Sequence, residues 1–160
     1  MKIGVISDTH IPFVVKEIPS SVLTAFKKID LIVHAGDYTE LKVIKKLKEL
    51  NNFMGVYGNM DPENIREIIP KKDVLEVGKF KIGIIHGHGA PQGLEARVRA
   101  EFHEKLDVII YGHSHLTKNE IIDDILFFNP GSSTDENFAP FKSFGILTIE
   151  ESITGEIVRI

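Results

Sequence analysis

Short apolar runs rich in isoleucine and valine recur along the first half of the chain, and longer stretches with apolar residues at helical spacing separate them. That alternation predicts strand-helix-strand units feeding a largely parallel, buried sheet. Strands are expected at Lys2 to Ser7, Asp30 to His34 and Phe53 to Tyr57. One helix is expected at Ser20 to Ile29, entered through Pro19. A second is expected at Glu40 to Leu50, with Leu41, Ile44, Leu47 and Leu50 on one side and lysines between them. Asp61-Pro62 reads as an N-cap followed by a first-turn proline, so a short helix capped by Asp61 should run through Glu63 to Ile68.

From Val74 the rhythm changes. Val74 to Val77 and Phe80 to Ile85 flank Gly78-Lys79 like the arms of a hairpin. Leu94, Val98, Phe102 and Leu106 carry a helix predicted over Pro91 to Leu106, and Asp107 to Tyr111 returns as a strand. The rest reads as β, at Glu120 to Ile122, Ile125 to Phe128, Phe144 to Ile149 and Glu156 to Ile160. Neither a repeat nor a linker interrupts the 160 residues, so a single domain over 1–160 is expected. Two sheets face to face with helices outside fit this order better than one doubly wound sheet.

Composition narrows the chemistry. With 42% hydrophobic and 26% charged residues the chain belongs among globular proteins. A net charge of -4, with lysines and arginines dispersed among acidic residues, lacks the footprint of a nucleic-acid polymer binder. The absence of cysteine excludes disulfides, zinc-thiolate sites and cysteine nucleophiles, and leaves any metal to oxygen and imidazole ligands. Apolar runs such as Val108 to Tyr111 are too short to span a bilayer and the start lacks a signal-peptide pattern, so a cytoplasmic protein without a membrane partner is expected.

Metal-ligand residues stand just beyond the carboxyl end of predicted strands at five places: Asp8-Thr9-His10, Gly36-Asp37, Gly58-Asn59-Met60-Asp61, His86-Gly87-His88 and Gly112-His113-Ser114-His115. Each alone is ordinary turn chemistry. Five together, at the strand ends where α/β sheets place their ligands, point to a metal site. A carboxylate can bind two cations through its two oxygens, and neutral imidazoles keep such a site positive toward a phosphate. Ser7, Thr9 and Ser114 lack the base and orienting acid that a nucleophile needs and read as turn or supporting residues.

These motifs, in this order, resemble the set of the calcineurin-like metallophosphoesterases, and the compact length resembles their small single-domain prokaryotic phosphodiesterase branch. That branch shares its fold with the scaffold subunit of the retromer coat. The match covers nearly the whole chain. It implies an α/β fold of four layers, α/β/β/α, with two divalent ions at one end of the two sheets. It further implies that Asp8, His10, Asp37 and His115 hold one ion, that Asp37, Asn59, His86 and His113 hold the other, and that Asp37 bridges them. A hydroxide shared by the ions would then attack a small phosphodiester. Catalytic weight would fall on Asp37, Asn59 and His86, with Asn59 and His88 toward the substrate. Mn²⁺ is favoured over Zn²⁺, Fe²⁺ or Ni²⁺. The alternatives are a phosphomonoesterase or nucleotidase using the same site, or a non-catalytic scaffold.

One departure matters. The family's third motif usually carries a histidine after the asparagine, which protonates the leaving alcohol; here Met60 fills that slot, and a thioether donates no proton. Good leaving groups are therefore expected. Among the other histidines, His34 within a buried strand reads as a hydrogen-bonded core residue and His103 as solvated, whereas His88 suits either a tight loop or substrate. Asn129-Pro130-Gly131-Ser132 resembles a family loop beside the site but reads first as a turn. Phe138, Pro140 and Phe141 suit either an apolar rim for an aryl or nucleoside group or a contact within a homo-oligomer.

Overall fold

The computed structural model describes residues 1–160. Its elements run β1 (Lys2–Ile6), α1 (Ser20–Phe26), β2 (Leu31–His34), α2 (Leu41–Leu50), β3 (Phe53–Gly55), α3 (Glu63–Arg66), β4 (Lys72–Val77), β5 (Phe80–Ile85), α4 (Leu94–Ala100), β6 (Val108–Ile110), β7 (Thr117–Ile122), β8 (Ile125–Pro130), β9 (Ser143–Ile149) and β10 (Ile153–Arg159). They form two mixed five-stranded sheets, ordered β10-β9-β1-β2-β3 and β4-β5-β6-β8-β7. In the first, β1, β2 and β3 are parallel. In the second, β5, β6 and β8 are parallel, with β4 and β7 antiparallel at the edges.

The two-residue period of the strands sorts their side chains into separate cores. Ile3, Val5 and Val33 of one sheet meet Ile82, Ile84, Val108, Ile110 and Phe128 of the other between the sheets. The alternate residues Ile6 and Ile32 lie under the first three helices with Phe26, Ile44, Leu47 and Ile65. Ile85, Ile109 and Phe127 lie under α4 with Leu94 and Val98. Continuous apolar runs are what strands buried on both faces require, and the result is the expected four-layer α/β/β/α sandwich. No helix is long and apolar enough to cross a membrane.

Differences from expectation are local. The helix predicted over Pro91 to Leu106 covers only Leu94–Ala100. Side chains of Lys72 and Arg99 take the carbonyls of Glu101 and Phe102 and end it, while Phe102 and Leu106 still reach the same core. The β4–β5 hairpin turns at Gly78-Lys79 as predicted, with Gly78 at φ +58°. Asp61 does not cap α3: Pro62 occupies the cap position without a side-chain hydrogen bond, and the Asp61 carboxylate turns inward.

Strand register explains where the motifs emerge. Ile6 pairs with His34, and His34 with Gly55. Ile84 pairs with Ile110. These parallel strands therefore end level, and the segments that follow leave the sheets along one edge.

Candidate metal centre

Leaving a strand and reversing within two or three residues demands unusual backbone. Asp8, His10, Asp37, His113 and His115 all adopt left-handed conformations, with φ of 52°, 43°, 60°, 70° and 59°. Aspartate and histidine tolerate this region better than most residues, at roughly 1–2 kcal/mol each. Gly36 serves the same turn at φ +103°, where a Cβ would stand 2.6 Å from the His86 ring.

The turns bring together two groups of donor atoms, Asp8 with His10 and His115, and Asp8 with Asp37 and His86. Asp37 Oδ2 lies 3.7 Å from His10 Nε2 and 3.3 Å from His86 Nε2. Asp8 Oδ1 lies 3.4 Å from His115 Nε2 and 3.9 Å from His86 Nε2. Asn59 joins through Oδ1, 3.1 Å from His86 Nε2 and 2.9 Å from His113 Nδ1. His88 stands apart, exposed in an adjoining groove with Arg66 and Lys71.

Imidazole tautomers are set from outside. His86 Nδ1 donates to Ala35 O at 2.7 Å, His113 Nε2 donates to Gly89 O at 2.8 Å, and His115 Nδ1 donates to the Asp135 carboxylate. Each ring therefore turns its other nitrogen toward the centre, as metal-binding histidines do. Inward lone pairs, the Asn59 oxygen and two buried carboxylates form a ring of acceptors without any lysine or arginine among its ion-pair partners. Only protons or a cation can hold such a ring together, and these residues fit divalent metal.

In the metal-free protein, protons do so. Burial pulls the His86 imidazole down, but the Asp8 and Asp37 carboxylates more than reverse this and lift it to about 9. His115 is likewise lowered by burial and lifted to about 9 by Asp8 and Asp135. Burial opposes the ionisation of Asp8, yet His86 and His115 hold its carboxyl well below the usual range. A raised imidazole stabilises the fold fully below its unfolded value of about 6.5 and loses that effect as pH rises through the folded value. Metal-free protein should therefore lose thermal stability steadily between about pH 6.5 and 9, and saturating Mn²⁺ should remove the decline. A flat melting-temperature profile for the metal-free chain would refute this account.

Residues that the sequence did not assign as ligands hold the ring in place, and His34 is the hydrogen-bonded core residue expected. Asp61 is buried and accepts backbone N–H bonds from Gly58 (2.8 Å) and Asp37 (2.9 Å) on Oδ2 and from Thr39 (2.8 Å) on Oδ1. His34, lowered to about 3 chiefly by burial, is neutral: Nδ1 accepts the Gly36 N–H and Nε2 donates to Thr9 Oγ1. Asn129 and Pro130, expected in a turn, end β8, and with the segment that follows they do more than reverse the chain. Asn129 donates to Gly112 O and to Ser114 Oγ, Ser132 donates to Asp8 O, and Thr134 donates to Thr9 O. It thereby braces two of the ligand turns against each other. Of the aromatic residues that follow, Phe138 lines the cleft above the centre, while Phe141 lies under the Arg159 guanidinium, 3.8 Å from the ring centroid. Met60 lines the cleft too, 54% exposed.

Comparison with known proteins agrees with this architecture. Residues 1–152 match the model of the calcineurin-like phosphoesterase superfamily domain. A probable metallophosphoesterase of Methanocaldococcus jannaschii is 39% identical over 162 residues, covering 100% of this chain and 82% of that protein. A phosphodiesterase of the same organism is 34% identical over 172 residues and covers 99% of both chains. Among solved structures, Vps29 of Entamoeba histolytica complexed with Zn²⁺ superposes with a TM-score of 0.76 at 26% identity, over 99% of both chains. The chain belongs to the calcineurin-like phosphoesterase superfamily.

Proposed function

We propose that the protein is a phosphodiesterase working with two divalent cations, one held by Asp8, His10, Asp37 and His115 and the other by Asp37, Asn59, His86 and His113. The position of Asp37 carries this reading. Its Oδ2 lies 3.7 Å from His10 Nε2 of one donor set and 3.3 Å from His86 Nε2 of the other, while Oδ1 accepts the Met60 N–H at 2.8 Å, so the carboxylate is held within reach of both. Oxygen and imidazole donors without thiolate suit Mn²⁺, with Zn²⁺, Fe²⁺ and Ni²⁺ also accommodated. Such cations, when bound, would lower the pKa of a water molecule to make a nucleophile and neutralise phosphoryl charge.

The chain's own residues do the positioning. Asp135 orients His115, Ala35 orients His86 and Gly89 orients His113, so little reorganisation is needed when substrate binds. At position 60 no side chain can deliver a proton to the departing alkoxide, which favours diesters whose alcohol leaves as a stable anion. Arg66 is tied to the carbonyls of Asn59 and Asp61, so it steadies the loop rather than reaching for phosphate.

The test is hydrolysis of a chromogenic aryl diester by protein stripped with chelator and reloaded with Mn²⁺, with bound metal counted in parallel. About two ions per chain and metal-restored hydrolysis are expected. Uptake of at most one ion would overturn the dinuclear centre. Full uptake without hydrolysis would favour a metal-stabilised interaction module. Asp135→Asn supplies a finer check: it leaves the ligands intact but weakens the hold on His115, so metal affinity should fall about 10- to 100-fold. Unchanged affinity would remove Asp135 from the account.

A further inference from the structure

Ten phenylalanines occur in the chain, and only two are exposed, Phe13 at 75% and Phe138 at 79%. Both line the same cleft of about 430 Å³ whose floor includes His10, Asp37 and Asn59. Val14 and Met60, also exposed, lie along it. Large apolar side chains left in water around a polar floor mark a binding site rather than accident.

Phe138 is registered to the centre. Asp135 accepts the Phe138 N–H at 3.3 Å and the Asn137 N–H at 2.8 Å, and the same carboxylate holds His115 Nδ1. The Phe138 ring stands edge-on to the His115 ring, with centroids 6.1 Å apart. One carboxylate therefore fixes both an inward imidazole and the aromatic wall above it. No lysine or arginine lines this cleft, so it offers nothing to a second phosphate.

We propose that Phe13 and Phe138 form a subsite for a flat aromatic group, with a nucleobase the natural fit, on the ester arm that stays with the phosphate. The substrate class is then a small phosphodiester bearing one nucleoside or aryl arm. This rests on the phosphodiesterase reading above. A planar ring buries area against two phenylalanines without needing specific hydrogen bonds, and such stacking changes affinity by about tenfold or more per base.

The experiment separates this subsite from the chemistry by holding the leaving group constant. Mn²⁺-loaded protein is given p-nitrophenyl esters of thymidine 5′-phosphate and of methyl phosphate, and binding of thymidine 5′-phosphate and methyl phosphate is measured by calorimetry. The nucleoside arm should be favoured about tenfold or more in both KM and Kd, and Phe13→Ala/Phe138→Ala should bring both ratios close to one. Ile121→Ala, at an exposed residue far along β7, should leave the ratios unchanged. Equal handling of the two arms by the parent, or a preference that survives the double substitution, would overturn the subsite while leaving the phosphodiesterase reading intact. Failure of every ester and both phosphates, with metal bound, would overturn both.

Discussion

Replacing Asp61 with alanine should cost the metal-free fold about 3–5 kcal/mol, a large share of the roughly 5–15 kcal/mol that holds such a domain together. The residue is 2% exposed, and its carboxylate is the partner of the N–H groups of Gly58, Asp37 and Thr39. Alanine would leave three donors facing a dry space, each costing about 1–3 kcal/mol. Part would be regained by water entering the gap, which keeps the total below the simple sum. Asparagine keeps the volume and one acceptor oxygen, so Asp61→Asn should lose less, with its amide facing one of the three donors. Denaturant unfolding of chelator-treated protein measures this without interference from metal. A loss under about 1 kcal/mol for the alanine variant would mean that those amides find other partners. Because the carboxylate joins the Asp37 turn to the Gly58 turn, the alanine variant should also bind metal more weakly even where it remains folded.

Asp61 also shows where sequence reading stopped. An aspartate before a proline before a helical stretch has the local chemistry of a cap, and three neighbours in the chain suggest nothing else. The competing partners come from residues 37 and 39, more than twenty positions earlier, brought into reach only when β2 and β3 pair. The same limit hid Asp135, whose contact with His115 depends on β8 carrying the chain past the centre. Ser132 read as the end of an Asn-Pro-Gly turn and Thr134 drew no reading, although both are buried against the Asp8–His10 loop. What could be read were features with a local cause. Doubly buried strands announced themselves as unbroken Ile and Val runs, and the level ends of those strands made Asp8, His10, Asp37, His86 and His115 converge. Helix ends were less legible, since the Glu101 carbonyl at the end of α4 is taken by Lys72 of β4, a contact outside the helix's own pattern.

Met60→His should raise hydrolysis of alkyl diesters by about 10²-fold and change that of aryl diesters little. The parent residue lies in the cleft, more than half exposed, so an imidazole can occupy its place without disturbing the core. Its backbone N–H, which holds Asp37 Oδ1 at 2.8 Å, is kept by the substitution. An alkyl leaving group departs as a strong base and gains from a proton in the transition state, whereas a nitrophenolate needs none. Positioned acids contribute about 10²- to 10⁴-fold, and the lower end applies here. Asp61, the adjacent carboxylate, is not free to orient the new imidazole, because its oxygens are engaged by three backbone amides and point inward. The rate should rise on the acid side of the new imidazole's pKa and fall above it, because only the protonated ring can donate. Rates for a series of esters with graded leaving-group pKa, measured for parent and variant at equal metal occupancy, decide the matter. A shallower dependence in the variant is expected. Identical slopes would mean that position 60 does not set the leaving-group dependence.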